Sequence, residues 1–217
     1  MRVFLFLSIL LFAACSNSSD KGDKAAKKIH SIDAASEGGS EITCWGIGDI
    51  DLDNDMQSLT GKVGKANVTQ DSLFKEGSFE GFVTTLWKGS PKEIIVHWKE
   101  KKEPYQTIDH LEITSPESPY HFVNGIKIGT TLKEMEKLNG GTAISLYGFG
   151  WDYGGTFISF NKGKLAGDIP CFGGVFALPE NVETSDTKDV MGDSKISSSH
   201  AAFTKYDPKL VTIRVKN

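Results

Sequence analysis

Residues 125–163 read GIKIGTTLKEMEKLNGGTAISLYGFGWDYGGTFISFNKG, and this stretch decides the fold that the sequence predicts. It opens with Ile126 and Ile128 alternating with polar residues, which is typical of a half-buried strand. A short helix is expected next, because three apolar residues recur at helical spacing: Leu132, Met135 and Leu138.

Local signals mark both ends of this helix. Thr131 followed three residues later by Glu134 fits a capping box, in which each side chain accepts a hydrogen bond from the other residue's backbone amide. Asn139-Gly140-Gly141 predicts the end, because glycine readily adopts the left-handed conformation found after helices.

A strand with an aromatic residue at every second position is predicted after the helix, over residues 144–153. Successive side chains of a strand point to opposite faces, so all four aromatic residues are expected on one face: Tyr147, Phe149, Trp151 and Tyr153. Tyrosine and tryptophan anchor many protein interfaces, and these residues form our candidate binding surface. The alternative is that they form an inward-facing side of the sheet.

The stretch has a fainter copy earlier in the chain. Residues 56–61 (MQSLTG) match residues 135–140 (MEKLNG), and residues 81–89 (GFVTTLWKG) match residues 155–163 (GTFISFNKG). Two ordered matches indicate an internal duplication, and chance similarity between glycine-ended amphipathic segments is the alternative. The fold class predicted is therefore α+β. Tandem helix-plus-β-meander repeats, about 41–114 and 120–178, would form a mainly antiparallel sheet with short helices on one face.

The amino terminus has the pattern of an export signal. Residues 1–14 carry Arg2, an apolar run and two small alanines, which predicts a signal peptide. Cys15 follows at once, and residues 11–15 (LFAAC) resemble a bacterial lipoprotein signal, whose cysteine becomes the lipidated first residue. The alternative is a secreted protein with an incidental cysteine. Residues 15–40 are rich in Ser, Gly, Lys and Asp and predict a flexible tether.

The composition is that of an ordinary globular domain, expected at residues 41–217 with a C-terminal loop and strand after the repeats. The chain has 24 basic and 28 acidic residues, and Arg2 is the only charged residue of 1–14, so the mature balance is 23 against 28, or −5. No basic patch indicates a nucleic-acid partner. Cys44 and Cys171 remain as an even pair in an oxidising compartment, which predicts a disulfide; two buried thiols are the alternative.

Acidic residues at alternate positions follow the first predicted strand, Ile42 to Ile47. Asp49, Asp51, Asp53 and Asp55 resemble the start of an EF-hand calcium loop. Asn54 stands where that loop needs glycine, and Thr60 where it needs a bidentate glutamate. We therefore interpret the run as a strand end followed by a helix cap, and expect no metal and no cofactor.

The remaining predictions concern strands and loops. Strands are expected at residues 79–87, 92–99, 106–114 and 209–216, with one or two more over 165–178, and a long polar surface loop at 179–199. His97 and His110 are expected near each other across two of these strands, as surface histidines without a placed third ligand. The cluster Ser197-Ser198-Ser199-His200 lacks a nucleophile elbow and is interpreted as a loop.

Residues 129–140 follow a predicted strand and read Gly-Thr-Thr-Leu, then a short helix that ends at Asn-Gly. This pattern resembles repeats of the β-lactamase-inhibitor-protein-like fold. Small outer-membrane assembly lipoproteins carry related helix-plus-meander units. The whole mature chain also resembles envelope lipoproteins of Bacteroidetes-type bacteria that carry no known activity. These resemblances imply an antiparallel sheet with helices on one face and an open face that binds protein.

These observations together predict a bacterial envelope lipoprotein, lipid-anchored in the outer membrane, that acts as a non-enzymatic protein-binding or envelope-maintenance module. Its expected partners are the membrane, through the lipid, and an envelope protein. Two alternatives stay open, an envelope hydrolase and a carbohydrate-binding protein. Asp152 is a candidate acid for the hydrolase, but no carboxylate pair or triad has diagnostic spacing.

Overall fold

The structure is a computed structural model that describes residues 39–216. The predicted signal peptide, Cys15 and all but the last two residues of the predicted tether lie outside the described residues.

Thirteen strands and five short α-helices, with two additional 3₁₀ turns, make up residues 39–216. The strands are β1 (Glu41–Thr43), β2 (Gly46–Ile47), β3 (Ile50–Asp51), β4 (Val68–Lys75), β5 (Ser78–Leu86), β6 (Ile94–Trp98), β7 (Ile108–Ile113), β8 (His121–Phe122), β9 (Ser145–Tyr147), β10 (Phe157–Ser159), β11 (Phe172–Ala177), β12 (Lys195–Ser197) and β13 (Lys209–Lys216). The helices are α1 (Met56–Val63), α2 (Leu132–Leu138), α3 (Leu165–Asp168), α4 (Thr184–Thr187) and α5 (Ala202–Lys205).

A six-stranded antiparallel sheet is the largest element, with strand order β11-β13-β7-β6-β5-β4. A three-stranded antiparallel sheet has the order β10-β9-β12. The third sheet, β3-β2-β1-β8, contains one parallel pair, between β1 and β8. The prediction of a mixed α and β protein with mainly antiparallel sheets is therefore confirmed.

One face of the six-stranded sheet supplies much of the hydrophobic core. Alternate residues of its strands are fully buried there: Leu86, Ile94, Val96, Leu111, Ile113, Ile213 and Val215. Leu59 of α1 and Leu132 and Met135 of α2 belong to the same buried cluster. This arrangement explains how such short helices persist, since they gain their stability from tertiary packing.

Local capping interactions fix where α1 and α2 begin. The hydroxyl of Thr131 accepts from the amide of Glu134 at 3.2 Å, and the Glu134 carboxylate accepts from the amide of Thr131 at 2.9 Å, which confirms the predicted capping box. Asp55 and Ser58 form the same reciprocal pair at the start of α1, at 2.7 and 2.9 Å. The interpretation of the acidic run as a helix cap is therefore confirmed at Asp55.

Several of the predicted secondary-structure assignments are wrong. The strand expected at Ile126 and Ile128 does not form among the described residues, because Lys127 makes only an isolated bridge to His121. The first strand is a hairpin, β1 and β2, with Cys44 and Trp45 in its turn. Residues 165–168 form α3 rather than a strand, although β11 follows as expected. Residues 179–199 are not an irregular loop, because they contain α4 and β12 and bury Thr187, Val190 and Ser198.

The sequence analysis does not predict β4, the edge strand that pairs with β5 over its whole length. Strands β5, β6, β7 and β13 fall where they were predicted, within one or two residues. The internal duplication is not confirmed, because the matched segments 81–89 and 155–163 contribute strands to different sheets.

Candidate functional site

The predicted aromatic strand ends at Tyr147, and the chain then turns through residues 148–155. Gly148 lies so close to the carbonyl oxygens of Val190 and Gly192 that a side chain at position 148 would press against them. Gly150 has a φ of +82°, which favours glycine and redirects the chain. The alternating sequence pattern therefore extends beyond the strand into a turn, because the backbone of residues 148–150 packs against residues 190–192.

Phe149 is the residue that anchors this turn. Its amide donates to the carbonyl of Val190 at 2.8 Å, and its carbonyl accepts from the amide of Gly192 at 2.8 Å. The Phe149 ring is 5% exposed and packs edge-to-face against Phe203, with 6.0 Å between ring centroids. The prediction that all four aromatic residues share one strand face is wrong, since Phe149 points into the core.

The other three predicted residues form a chain of rings on the surface of the turn. Tyr147 meets Trp151 edge-to-face at 5.8 Å, and Trp151 meets Tyr153 at 5.1 Å. Tyr147 is exposed, while Trp151 and Tyr153 are half-buried. The Trp151 indole donates to the carbonyl of Gly148 at 2.9 Å, which fixes the orientation of its ring. We call Tyr147, Trp151 and Tyr153 the aromatic loop cluster.

A second group of exposed rings lies on the β4–β5 hairpin, and the sequence reading did not single it out. Phe74, Phe79 and Phe82 are 62%, 53% and 39% exposed, and their rings pack edge-to-face in sequence at 5.8 and 5.2 Å. The signal that would have found them is the pair Glu76-Gly77 between two phenylalanine-bearing runs, which is typical of a hairpin turn. We call these three residues the phenylalanine hairpin.

One hydrogen bond joins the two groups. The hydroxyl of Tyr153 donates to the carboxylate of Glu76, in the turn of the β4–β5 hairpin, at 3.4 Å. The aromatic loop cluster and the tip of the phenylalanine hairpin are therefore neighbours, although Tyr153 and Glu76 are 77 residues apart in sequence.

The acidic run at residues 49–55 serves helix α1. Asp51 forms an ion pair with Lys62 at 2.6 Å, and the Lys62 ammonium also donates to the backbone carbonyl of Asp49 at 2.9 Å. Hydrogen bonds from the backbone amide and from the side chain of Ser58 lower the pKa of Asp55 below its ordinary value. Within residues 39–216 these acids do not gather three ligand atoms in one place.

Side chains of the serine cluster at residues 197–200 form hydrogen bonds with neighbouring parts of the fold. The hydroxyl of Ser198 accepts from the amide of Ile144 at 2.8 Å and also contacts the carboxylate of Glu136. His200 accepts through Nδ1 from the amide of Ala202 at 3.2 Å. Both side chains therefore contribute hydrogen bonds to the fold, and the prediction of a loop is wrong at Ser197, which belongs to β12.

The expectation that His97 and His110 lie close together is confirmed. They are directly opposed across β6 and β7, and their rings stack with 4.0 Å between centroids. Their side chains are only 16% and 19% exposed, so the expectation of ordinary surface histidines is wrong.

Comparisons with protein-family models, with curated proteins and with solved structures each found no match to this chain. Among the described residues, no helix combines the length and the apolar character needed to span a bilayer.

Proposed function

We propose that this protein is a lipid-anchored component of a bacterial envelope that binds another envelope protein through the aromatic loop cluster. The observation that carries this proposal is the edge-to-face chain Tyr147–Trp151–Tyr153, held on the surface by a turn whose own anchor is buried. No step of this function requires chemistry on the partner, so the proposed role is recognition.

Preorganisation supports the proposal. Phe149 fixes the turn to the core through two backbone hydrogen bonds of 2.8 Å, and the Trp151 indole is fixed through Gly148. Ordering a mobile aromatic side chain on binding costs free energy, so rings that are already ordered bind more strongly for the same contact area. Tryptophan and tyrosine are also the residue types most enriched at energetically dominant interface positions.

The neighbouring phenylalanine hairpin supports a protein partner of considerable size. Three phenylalanine side chains, each more than a third exposed, are unusual on a hairpin unless another surface covers them. The contact between Tyr153 and Glu76 brings this hairpin beside the aromatic loop cluster. A partner that covers both groups would bury the apolar area expected of a specific interface.

Ring orientation favours a protein over a carbohydrate. Sugars stack on the flat faces of aromatic rings, which an array of rings offers best when the faces are parallel. The interplanar angles here are 90° between Tyr147 and Trp151 and 62° between Trp151 and Tyr153. Edges and faces therefore alternate along the cluster, a surface suited to interdigitating side chains.

The membrane part of the proposal is supported by the sequence alone. An apolar run, two small residues and Cys15 have the order of a lipoprotein signal, and the following polar segment is long enough to hold a domain away from lipid. Lipid chains anchor a protein because each buried methylene contributes about 0.8 kcal/mol.

The test is site-specific photo-crosslinking in intact envelopes. A photoreactive phenylalanine analogue replaces Tyr147 in three versions of the full chain. The first carries no other change, the second also carries Trp151→Ala, and the third also carries Trp45→Ala. Trp45 is 76% exposed in the β1–β2 turn and serves as the matched control. We expect one discrete protein adduct that Trp151→Ala removes and Trp45→Ala leaves unchanged. Adducts with polysaccharide alone, or protein adducts indifferent to Trp151→Ala, would contradict the proposal.

A further inference from the structure

A cluster of two histidines and a glutamate lies on the six-stranded sheet, on the face opposite its hydrophobic core. Val96 and Leu111 point into the core, and their neighbours His97 and His110 point the other way because strand residues alternate. Glu112 is two residues beyond His110 and therefore shares its face. One ligand atom from each of these three residues lies within 4.8 Å of the other two.

The Nε2 atom of His97 is buried and has no hydrogen-bond partner in the described part of the chain. The Oε1 atom of Glu112 lies 3.9 Å from it, which is too far for a hydrogen bond. Burial of a polar atom without a partner is costly, and such an atom in a native fold calls for an explanation. A bound cation would supply the missing interaction.

The neighbouring groups prepare the other two side chains as ligands. Asp109 lies 2.7 Å from the Nδ1 atom of His110, which favours the tautomer with the proton on Nδ1 and the lone pair on Nε2. The Arg214 guanidinium donates to the Oε2 atom of Glu112 at 2.6 Å, which orients the carboxylate and leaves Oε1 for another contact. A carboxylate behind a histidine is the usual arrangement around metal-binding histidines.

We propose that His97, His110 and Glu112 bind a divalent transition-metal ion, with Zn²⁺ the best match to two imidazoles and one carboxylate. Ligand atoms around tetrahedral zinc lie about 3.4 Å apart, given zinc–ligand bonds of roughly 2.0–2.1 Å, so the three side chains close inward by rotation about their side-chain bonds. Three protein ligands leave a fourth position for water or another ligand. The nearby Arg214 opposes the cation's charge and limits its affinity.

Direct titration of the metal-free full chain with Zn²⁺, in competition with a chromogenic chelator, tests the site. We expect one stoichiometric Zn²⁺ site in the wild type, and a loss of affinity of roughly 100-fold or more in His97→Ala and in His110→Ala. The matched controls are His121→Ala and His200→Ala, which lie outside the cluster and are expected to keep wild-type affinity. Circular dichroism of each variant shows whether its fold is intact.

Asp109→Asn provides a second test that does not disturb the ligands. Its side chain is 55% exposed, so the fold tolerates the change, and we expect roughly 10-fold weaker Zn²⁺ binding. The proposal is overturned if the wild type lacks a stoichiometric site. It is equally overturned if the double variant His97→Ala/His110→Ala binds Zn²⁺ as tightly as the wild type, or if a control removes the site instead.

Discussion

The side chain of Asn139 occupies the space that a side chain at position 163 would need. A Cβ atom at Gly163 would overlap the Asn139 carboxamide, which is completely buried. The Asn139 amide nitrogen donates to the carbonyls of Thr142 and Phe160 at 2.8 and 2.9 Å, and its oxygen accepts from the amide of Leu165 at 3.1 Å. One residue thus joins the end of α2 to the end of β10 and the start of α3.

We expect Asn139→Ala to lower the free energy of unfolding by about 3 kcal/mol, because it removes the three hydrogen bonds of a completely buried carboxamide. Gly163→Ala should also destabilise the protein, since its new methyl group displaces the carboxamide. Urea unfolding measures both changes. Lys137→Ala, on the exposed side of α2, is the control and should change stability by less than about 0.5 kcal/mol. Equal stability of Asn139→Ala and the control would contradict this account.

The disulfide between Cys44 and Cys171 confirms the predicted pairing and links residues 127 apart in sequence. It joins the β1–β2 turn to the residue before β11. Closing a loop of this length lowers the conformational entropy of the unfolded chain. Replacing both cysteines with alanine should therefore destabilise the protein by at most about 5 kcal/mol. Urea unfolding with and without a reducing agent measures the effect. Reduction should weaken the wild type but leave the double variant unchanged.

Acid should destabilise the metal-free protein through His97. Burial is the largest cause and the charge of His110 the next, and together they lower the pKa of His97 to about 4, against 6.5 ordinarily, although Glu112 acts in the opposite direction. Between these two values the unfolded chain binds the proton and the folded chain does not, so stability falls as pH decreases. The loss should total roughly 3 kcal/mol by pH 4. Unfolding measured with chelator present, from pH 7.5 to 4, should show a shallower decline for His97→Gln.

The proposed lipid anchor leads to a prediction about residues outside the described range. Cells fed radiolabelled palmitate should label the wild-type chain, and Cys15→Ala should abolish the label because no other cysteine follows the signal directly. Ser18→Ala, in the same polar segment, is the control and should label normally. Label that persists in Cys15→Ala would contradict the lipoprotein hypothesis.

Features governed by neighbouring residues were predictable from the sequence. The capping box of Thr131 and Glu134 depends on groups three residues apart, and the closing strand β13 carries a clear alternating pattern. By contrast, the fate of Phe149 depends on hydrogen bonds to Val190 and Gly192, about 40 residues away, and no local pattern reveals them. Strand β4 was missed because none of its described side chains is fully buried and no clear apolar alternation marks it, so that pairing with β5 is what defines it.

The candidate sites follow the same division. The alternation of aromatic and other residues predicted Tyr147, Trp151 and Tyr153 as candidate binding residues. The turn that holds them on the surface was not expected. The sequence suggested that His97 and His110 are neighbours. That Glu112 lies beside His97 follows only from the register that pairs β6 with β7. The ion pair of Glu112 with Arg214 depends on a strand about 100 residues later and has no sequence signal.

The placement of β13 has a consequence for how this sheet is assembled. It lies between β11 and β7, so the sheet stays divided into two unjoined parts until residues 209–216 are present. A chain synthesised from its amino terminus therefore cannot close the sheet until residues 209–216 have emerged. Such an order of events delays cooperative folding of the six strands, because the strand that joins the two parts is the last of them to be made.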